Sequence, residues 1–367
     1  LLLIICTFAC QPTPPADTNT EEPTAATQAK TFDIHRGLNI SHWLSQSDRR
    51  GAEREAYFTE VDVKAAKAAG FDHIRIPIDE EQMWDEDGNK EAAAFELLHN
   101  ALGWLHQHEM KALVDLHIIR SHYFLDELPA LYVSEKEQQK FAQLWTQLAT
   151  ELKAYPKDEV AYELLNESVA PNNADWNKVY RLAYDAVREV EPDRVIFIGP
   201  NRWQQVDNFP DLDLPKGDKN IVLSFHYYEP FIISHYLASW TNLKNYDGPI
   251  NYPGVLIDPK DTLNLSLEEV DPLRHFVGVT ANRETIEAAM QPAFSIAKET
   301  GLQLYCGEFG VRSDVPPAVR EAWMRDLISI FEKHDIAWTV WDFKSNGFGM
   351  LKPSDLSLVL PESVLMQ

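Results

Sequence analysis

Between residues 31 and 340 the chain repeats one pattern: a short apolar stretch rich in β-branched residues, a polar or aromatic tip, then a helical stretch. Strands are expected over 34–40, 72–76, 112–116, 159–165, 194–198, 220–225, 302–306 and 336–340. Helices are expected over 59–69, 92–108, 135–154, 176–189, 283–299 and 317–333, with an ill-defined one after the fifth strand. Strands that are apolar throughout belong to a parallel sheet covered on both faces by crossover helices. Eight such units point to a (β/α)8 barrel, with a doubly wound open sheet as the alternative. An open sheet gathers its ligand residues at one switch point, whereas here polar and aromatic residues follow nearly every strand. The interval 229–282 breaks the spacing and is expected to be an elaborate loop after strand six. No second domain is expected within 31–367, a length that can bury one large core.

Two strand tips carry carboxylates. Tyr-Glu-Leu-Leu-Asn-Glu-Ser-Val (162–169) ends a strand in Asn166 and Glu167, and Leu-Tyr-Cys-Gly-Glu-Phe-Gly-Val (304–311) ends another at Glu308. Two carboxylates on separate strand tips can converge over one bond and divide the work of acid and nucleophile. Asn166 and Glu167 are adjacent, so regular pleating sends them to opposite faces. Both reach one site only if the strand end is bulged or bent. The same period of two puts His226 with Tyr228 on one face, and Asp115 with His117 on another. Arg75 lies between Ile74 and Ile76; if those isoleucines face the helices, Arg75 faces the barrel axis. A guanidinium there requires an anion, and a catalytic carboxylate would serve. Trp341 after strand eight either floors a sugar site or caps the core. His42 and Trp43 after strand one, and Trp203 after strand five, occupy equivalent rim positions.

The formal charge of −24 argues against nucleic acid and anionic lipid as partners, and suits a neutral polymer. Residues 1–9 are apolar, too short to span a bilayer, and are expected to be the remnant of a signal peptide. Thr7, Phe8, Ala9 and Cys10 resemble a bacterial lipobox, which would make Cys10 the lipidated residue. Residues 10–30, rich in Pro, Thr, Ala and Glu, are expected to form a disordered linker. An exported, membrane-tethered monomer is therefore expected, periplasmic or at the cell surface, with plain secretion as the alternative. Three cysteines cannot organise the fold through disulfides.

The ordered set of motifs resembles glycoside hydrolase family 5, the retaining cellulases and their relatives on (β/α)8 barrels. Asn-Glu after strand four, His-x-Tyr after strand six and Gly-Glu-Phe-Gly around strand seven carry the resemblance, which spans 32–351. It implies Glu167 as acid/base and Glu308 as nucleophile. It also implies that Asn166 holds the sugar 2-hydroxyl, and that Arg75 and Tyr228 hydrogen-bond Glu308. His226 would tune Glu167, with His117 and Trp341 shaping the −1 subsite. The family often shows two consecutive histidines after strand three; here His117 is followed by Ile118, leaving His122 as a possible substitute. An endo-β-1,4-glucanase acting on plant β-glucan is the first expectation, ahead of β-mannanase, xyloglucanase or β-1,3-glucanase. No cofactor or metal is expected. A metal-dependent barrel hydrolase or isomerase would draw ligands from Asp115, His117, Glu167, His226 and Glu308, but no His-x-His pair follows strand one. A lipoprotein that only captures glycan would leave the acid pair idle.

Overall fold

The computed structural model describes residues 32–344 and 347–348. The expected signal remnant, the linker and Cys10 lie outside the described residues.

Eight strands close into a parallel barrel. They are β1 (Arg36–Asn39), β2 (His73–Asp79), β3 (Lys111–Ile118), β4 (Val160–Glu163), β5 (Ile196–Ile198), β6 (Ile221–His226), β7 (Gln303–Phe309) and β8 (Ala337–Val340). Each pairs with its neighbours in sequence, and β8 closes on β1. Side-chain alternation divides the barrel into two cores. Ile74, Ile76, Ile78, Ala112, Val114 and Leu116 belong to the large apolar cluster under the helices. Leu113, Ala161, Phe197, Val222, Tyr305 and Ala337 form a separate inner cluster with Phe32 and Ile34. The inner residues come from the early parts of their strands, so the late parts are left to the polar side chains. Ile34, expected in strand one, instead plugs the barrel ahead of β1.

The helices lie close to their expected bounds, and the differences have local causes. One begins at Asn173 rather than 176, because the Asn172 side chain accepts the Asp175 N–H at 3.0 Å and caps the turn. The helix expected over 283–299 is two, Arg283–Ala289 and Gln291–Thr300. Pro292 has no N–H to continue the first ladder and suits the opening turn of the second. The 229–282 excursion holds short helical turns and a small antiparallel ladder between Gly254–Val255 and Thr280–Ala281. Among the described residues no helix is long and apolar enough to cross a membrane.

Candidate active site

Arg75 organises the polar end of the barrel. Its side chain is fully buried, and all five guanidinium N–H groups have an acceptor. Nε donates to Glu163 Oε2 at 2.7 Å. Nη1 donates to Asn39 Oδ1 at 2.9 Å and to Glu308 Oε1 at 2.8 Å. Nη2 reaches Asn166 Oδ1 at 2.9 Å and Asp115 Oδ2 at 3.0 Å. Five acceptors from β1, β3, β4, β7 and the turn after β4 thus fix one planar group, and it fixes them in return.

Glu308 is delivered by an irregularity in β7. Phe225 pairs with Cys306 and His226 with Glu308, so Gly307 is an extra residue on that strand. A Cβ on Gly307 would lie 3.1 Å from Ser224 Oγ and 3.2 Å from His226 Nε2, a tight fit for any side chain. The carbonyl of Gly307 accepts from Asn39 Nδ2 at 3.0 Å. The second oxygen of Glu308 accepts from the Tyr228 hydroxyl at 2.9 Å.

Glu167 arrives by a different device. β4 ends at Glu163, and Glu167 itself has φ +45°, in the left-handed region. That turn lets adjacent residues serve one site: Asn166 binds Arg75, while Glu167 Oε1 lies 2.9 Å from His226 Nδ1. His226 Nδ1 is also 3.7 Å from Glu308 Oε2. One oxygen of each glutamate and a nitrogen of His226 all fall within 4.8 Å of one another. The Glu167 side chain remains 13% exposed, so it opens toward the cleft.

Electrostatics separates the two carboxyls. Burial pushes Glu167 well above the usual carboxylate range, and the charge of Glu308 pushes the same way. Burial raises Glu308 too, but Arg75, His117 and the Tyr228 hydroxyl all oppose it. The shared proton therefore favours Glu167. Burial keeps His226 neutral, well below its ordinary value, with Arg75 and His117 acting in the same sense. Burial lowers His117 to about 3. His117 Nδ1 meets Asp115 Oδ2 at 2.8 Å, and its Nε2 meets the Gln46 side-chain amide at 2.7 Å. Burial pushes Asp115 well up, the Glu163 charge helping and Arg75 opposing. A neutral acid beside an ionised carboxylate can protonate a departing oxygen on one side of a bond while the carboxylate attacks from the other.

Residues 27–347 match the family described as cellulase, glycosyl hydrolase family 5. The chain belongs to that family. Endoglucanase C of Acetivibrio thermocellus is 30% identical over 330 residues, spanning 85% of this chain and 92% of that protein. Cellodextrinase A of Ruminococcus flavefaciens is 27% identical, spanning 84% and 85% respectively. Among solved structures, a hyperthermophilic endo-β-1,4-glucanase in complex with substrate superimposes with a TM-score of 0.72 at 23% identity, covering 91% of this chain and 97% of its own. Thermotoga maritima Cel5A with mannotriose gives 0.73 at 21%, covering 92% and 97%. At those identities the structural likeness speaks for the barrel alone.

In this family 5 hydrolase the remaining expected residues divide. Trp341 stacks on His117, ring centroids 5.5 Å apart and planes 5° from parallel, which puts it against a histidine tied to Asp115 and Gln46. His42, with 38% of its side chain exposed, sits beside Ser41 and Asp342 at the mouth. Trp203 is 38% exposed, and its indole N–H is fixed on the Phe124 carbonyl at 2.8 Å. Two expectations are corrected. Trp43 is fully buried, with its N–H on the Arg54 carbonyl and its ring against Phe58, so it packs the shell and offers no sugar face. His122 is buried edge-on against Tyr132 and does not replace the absent second histidine. Of the five residues in the metal-centred reading, Glu167, His226 and Glu308 bring three ligand atoms within 4.8 Å of one another; Asp115 is engaged by Arg75 and His117.

Sequence reasoning missed Glu163, Asn39, Ser224, Gln204 and Gln46. Glu163 and Asn39 did carry a signal, a polar side chain inside an apolar strand. Gln204 and Gln46 carried none, since each lies in a loop whose path the periodicity does not determine.

Proposed function

We propose that this hydrolase is an endo-β-1,4-glucanase that works by double displacement, with Glu308 as nucleophile and Glu167 as acid/base. The carrying observation is the 4.8 Å limit on the separation of their facing atoms. Retaining glycosidases hold their carboxyls about 5–5.5 Å apart, too close for the interposed water that inversion requires. In the first step Glu308 attacks the anomeric carbon while Glu167 protonates the leaving oxygen. Esterification removes the Glu308 charge, which was one of the causes holding the Glu167 proton. Glu167 is then free to accept a proton from the water that releases the sugar. The Asn166 carbonyl oxygen is held by Arg75, which orients its amide nitrogen as a donor for the sugar 2-hydroxyl. The names of relatives such as endoglucanase C support internal cleavage of a glucan.

The test is product formation across carboxymethylcellulose, β-mannan, xyloglucan and a β-1,3-glucan, with proton NMR of the first product. β-1,4-Glucan is expected to be cleaved fastest, with early loss of viscosity and the β-anomer released first. Preference for mannan would overturn the substrate assignment, and an initial α-anomer would overturn double displacement.

We further propose a monomer tethered to a bacterial membrane through a lipid on Cys10, from the lipobox-like sequence before it. Cys10→Ala is expected to move activity from the membrane fraction to the soluble one, or to block maturation. Unchanged partition would count against the anchor.

A further inference from the structure

We infer that Gln204 is a positioning residue for the acid/base glutamate, its one amide tying the backbone of Glu167 to the buried cluster that holds Glu308. This rests on Glu167 being the acid/base, as proposed above. Gln204 is buried to 1% exposure. Its Oε1 accepts the Glu167 N–H at 2.9 Å. Its Nε2 donates to Glu163 Oε1 at 2.9 Å and to Ser224 Oγ at 3.0 Å. Glu163 in turn accepts from Arg75, which donates to Glu308. A continuous series of hydrogen bonds therefore runs from the backbone of one glutamate to the carboxylate of the other. The amide can point only one way: reversed, it would set N–H against N–H at Glu167 and oxygen against carboxylate at Glu163.

Two further observations show that the chain is shaped around this side chain. Arg202, Trp203 and Gln204 have φ of +57°, +58° and +54°, three consecutive non-glycine residues in the left-handed region. Such a run persists only where surrounding contacts over-determine it. Here the Trp203 N–H bonds to the Ser168 carbonyl at 3.1 Å, so both arms of the run grip the turn that carries Glu167. The second observation is Gly199. A Cβ built there would lie 2.4 Å from Gln204 Cγ and 2.5 Å from its Nε2. Gly199 lies outside the positive-φ glycines, so its missing side chain makes room for Gln204 rather than serving a special backbone conformation.

What Gln204 controls is the direction in which Glu167 presents its proton. A misplaced acid should matter for leaving groups that need protonation, and hardly at all for those that do not. The measurement is kcat/KM on cellotetraose and on 2,4-dinitrophenyl β-cellobioside for Gln204→Leu, Gly199→Ala, and the pair Gln204→Ala with and without Gly199→Ala. The ratio of the two constants, taken on one preparation, does not depend on the fraction that has folded. Gln204→Leu is expected to lose roughly 10²-fold on cellotetraose, the scale of an ångström-level misplacement, and less than about 3-fold on the aryl glycoside. Gly199→Ala should show the same split by displacing the Gln204 side chain. Added to Gln204→Ala it should cost little more, because the clash has gone. Equal losses on both substrates, or no loss on either, would overturn the inference. Glu167→Ala is the reference: if it shows the split and the Gln204 and Gly199 variants do not, the positioning role alone fails. If Glu167→Ala itself shows no split, the acid/base assignment fails.

Discussion

Glu308→Gln should abolish hydrolysis of cello-oligosaccharides and of activated aryl glycosides alike, by about 10⁵-fold or more, the scale set by removing an enzyme's covalent nucleophile. The substitution keeps the volume and leaves an amide oxygen to accept from Arg75, so the barrel should stay folded. Removing the side chain outright would instead leave a buried guanidinium short of an acceptor, at a cost of about 3–5 kcal/mol. A good leaving group cannot rescue the variant, because what is missing is the attacking atom and not the proton. Steady-state rates on both substrate types check this, alongside a thermal melt against the parent. Residual turnover of the aryl glycoside within about tenfold of the parent would remove Glu308 from the nucleophile's role.

Much of this site follows from counting residues along strands. Isoleucines at 74 and 76 force Arg75 inward, and the same period brings His226 and Tyr228 to the two glutamates. The adjacency of Asn166 and Glu167 required a break in the pleat, and the left-handed Glu167 supplies it. Counting fails once a residue's partners come from several strands at once. Glu163 matters because Arg75, Gln204 and Ser224 converge on it from three different segments, and no local pattern encodes a convergence. Rim aromatics fail for a related reason. Trp43 and Trp203 both follow strands, yet whether an indole turns to the cleft or the shell depends on its N–H partner. For Trp43 that partner is the Arg54 carbonyl in the next helix. The helix broken at Pro292 was legible in principle, since proline cannot continue a hydrogen-bond ladder.

The two carboxyls illustrate how burial and charge together make a functional pair. Desolvation alone would raise both and leave neither distinct. Arg75 and Tyr228 each donate to a different oxygen of Glu308, while Glu167 has the neutral ring of His226. The asymmetry lies in the donors, and it assigns the proton. Loss of activity at high pH should accordingly follow deprotonation of Glu167, above the ordinary carboxylate range. Loss at low pH should follow protonation of Glu308.

Glu167→Ala should separate the two halves of the reaction. A sugar alkoxide leaves poorly without a proton, so cello-oligosaccharide hydrolysis should fall by about 10²–10⁴-fold. A dinitrophenolate leaves unaided, so the glycosyl-enzyme on Glu308 should still form from its glycoside and release one rapid equivalent of phenolate. Turnover should then stall, because no group remains to take the proton from the incoming water. Azide needs no such base, and the truncated side chain leaves it space beside the anomeric carbon. Added azide should therefore restore turnover and yield a β-glycosyl azide, since attack on the glycosyl-enzyme inverts once more. The high-pH limb of the cello-oligosaccharide profile should also disappear from the residual activity, its titrating group being gone. Burst amplitude, azide dependence and product NMR check the three steps separately. Azide rescue of a Glu308→Ala variant with a β-product, in place of the expected α-azide, would show that the two glutamates hold the opposite roles.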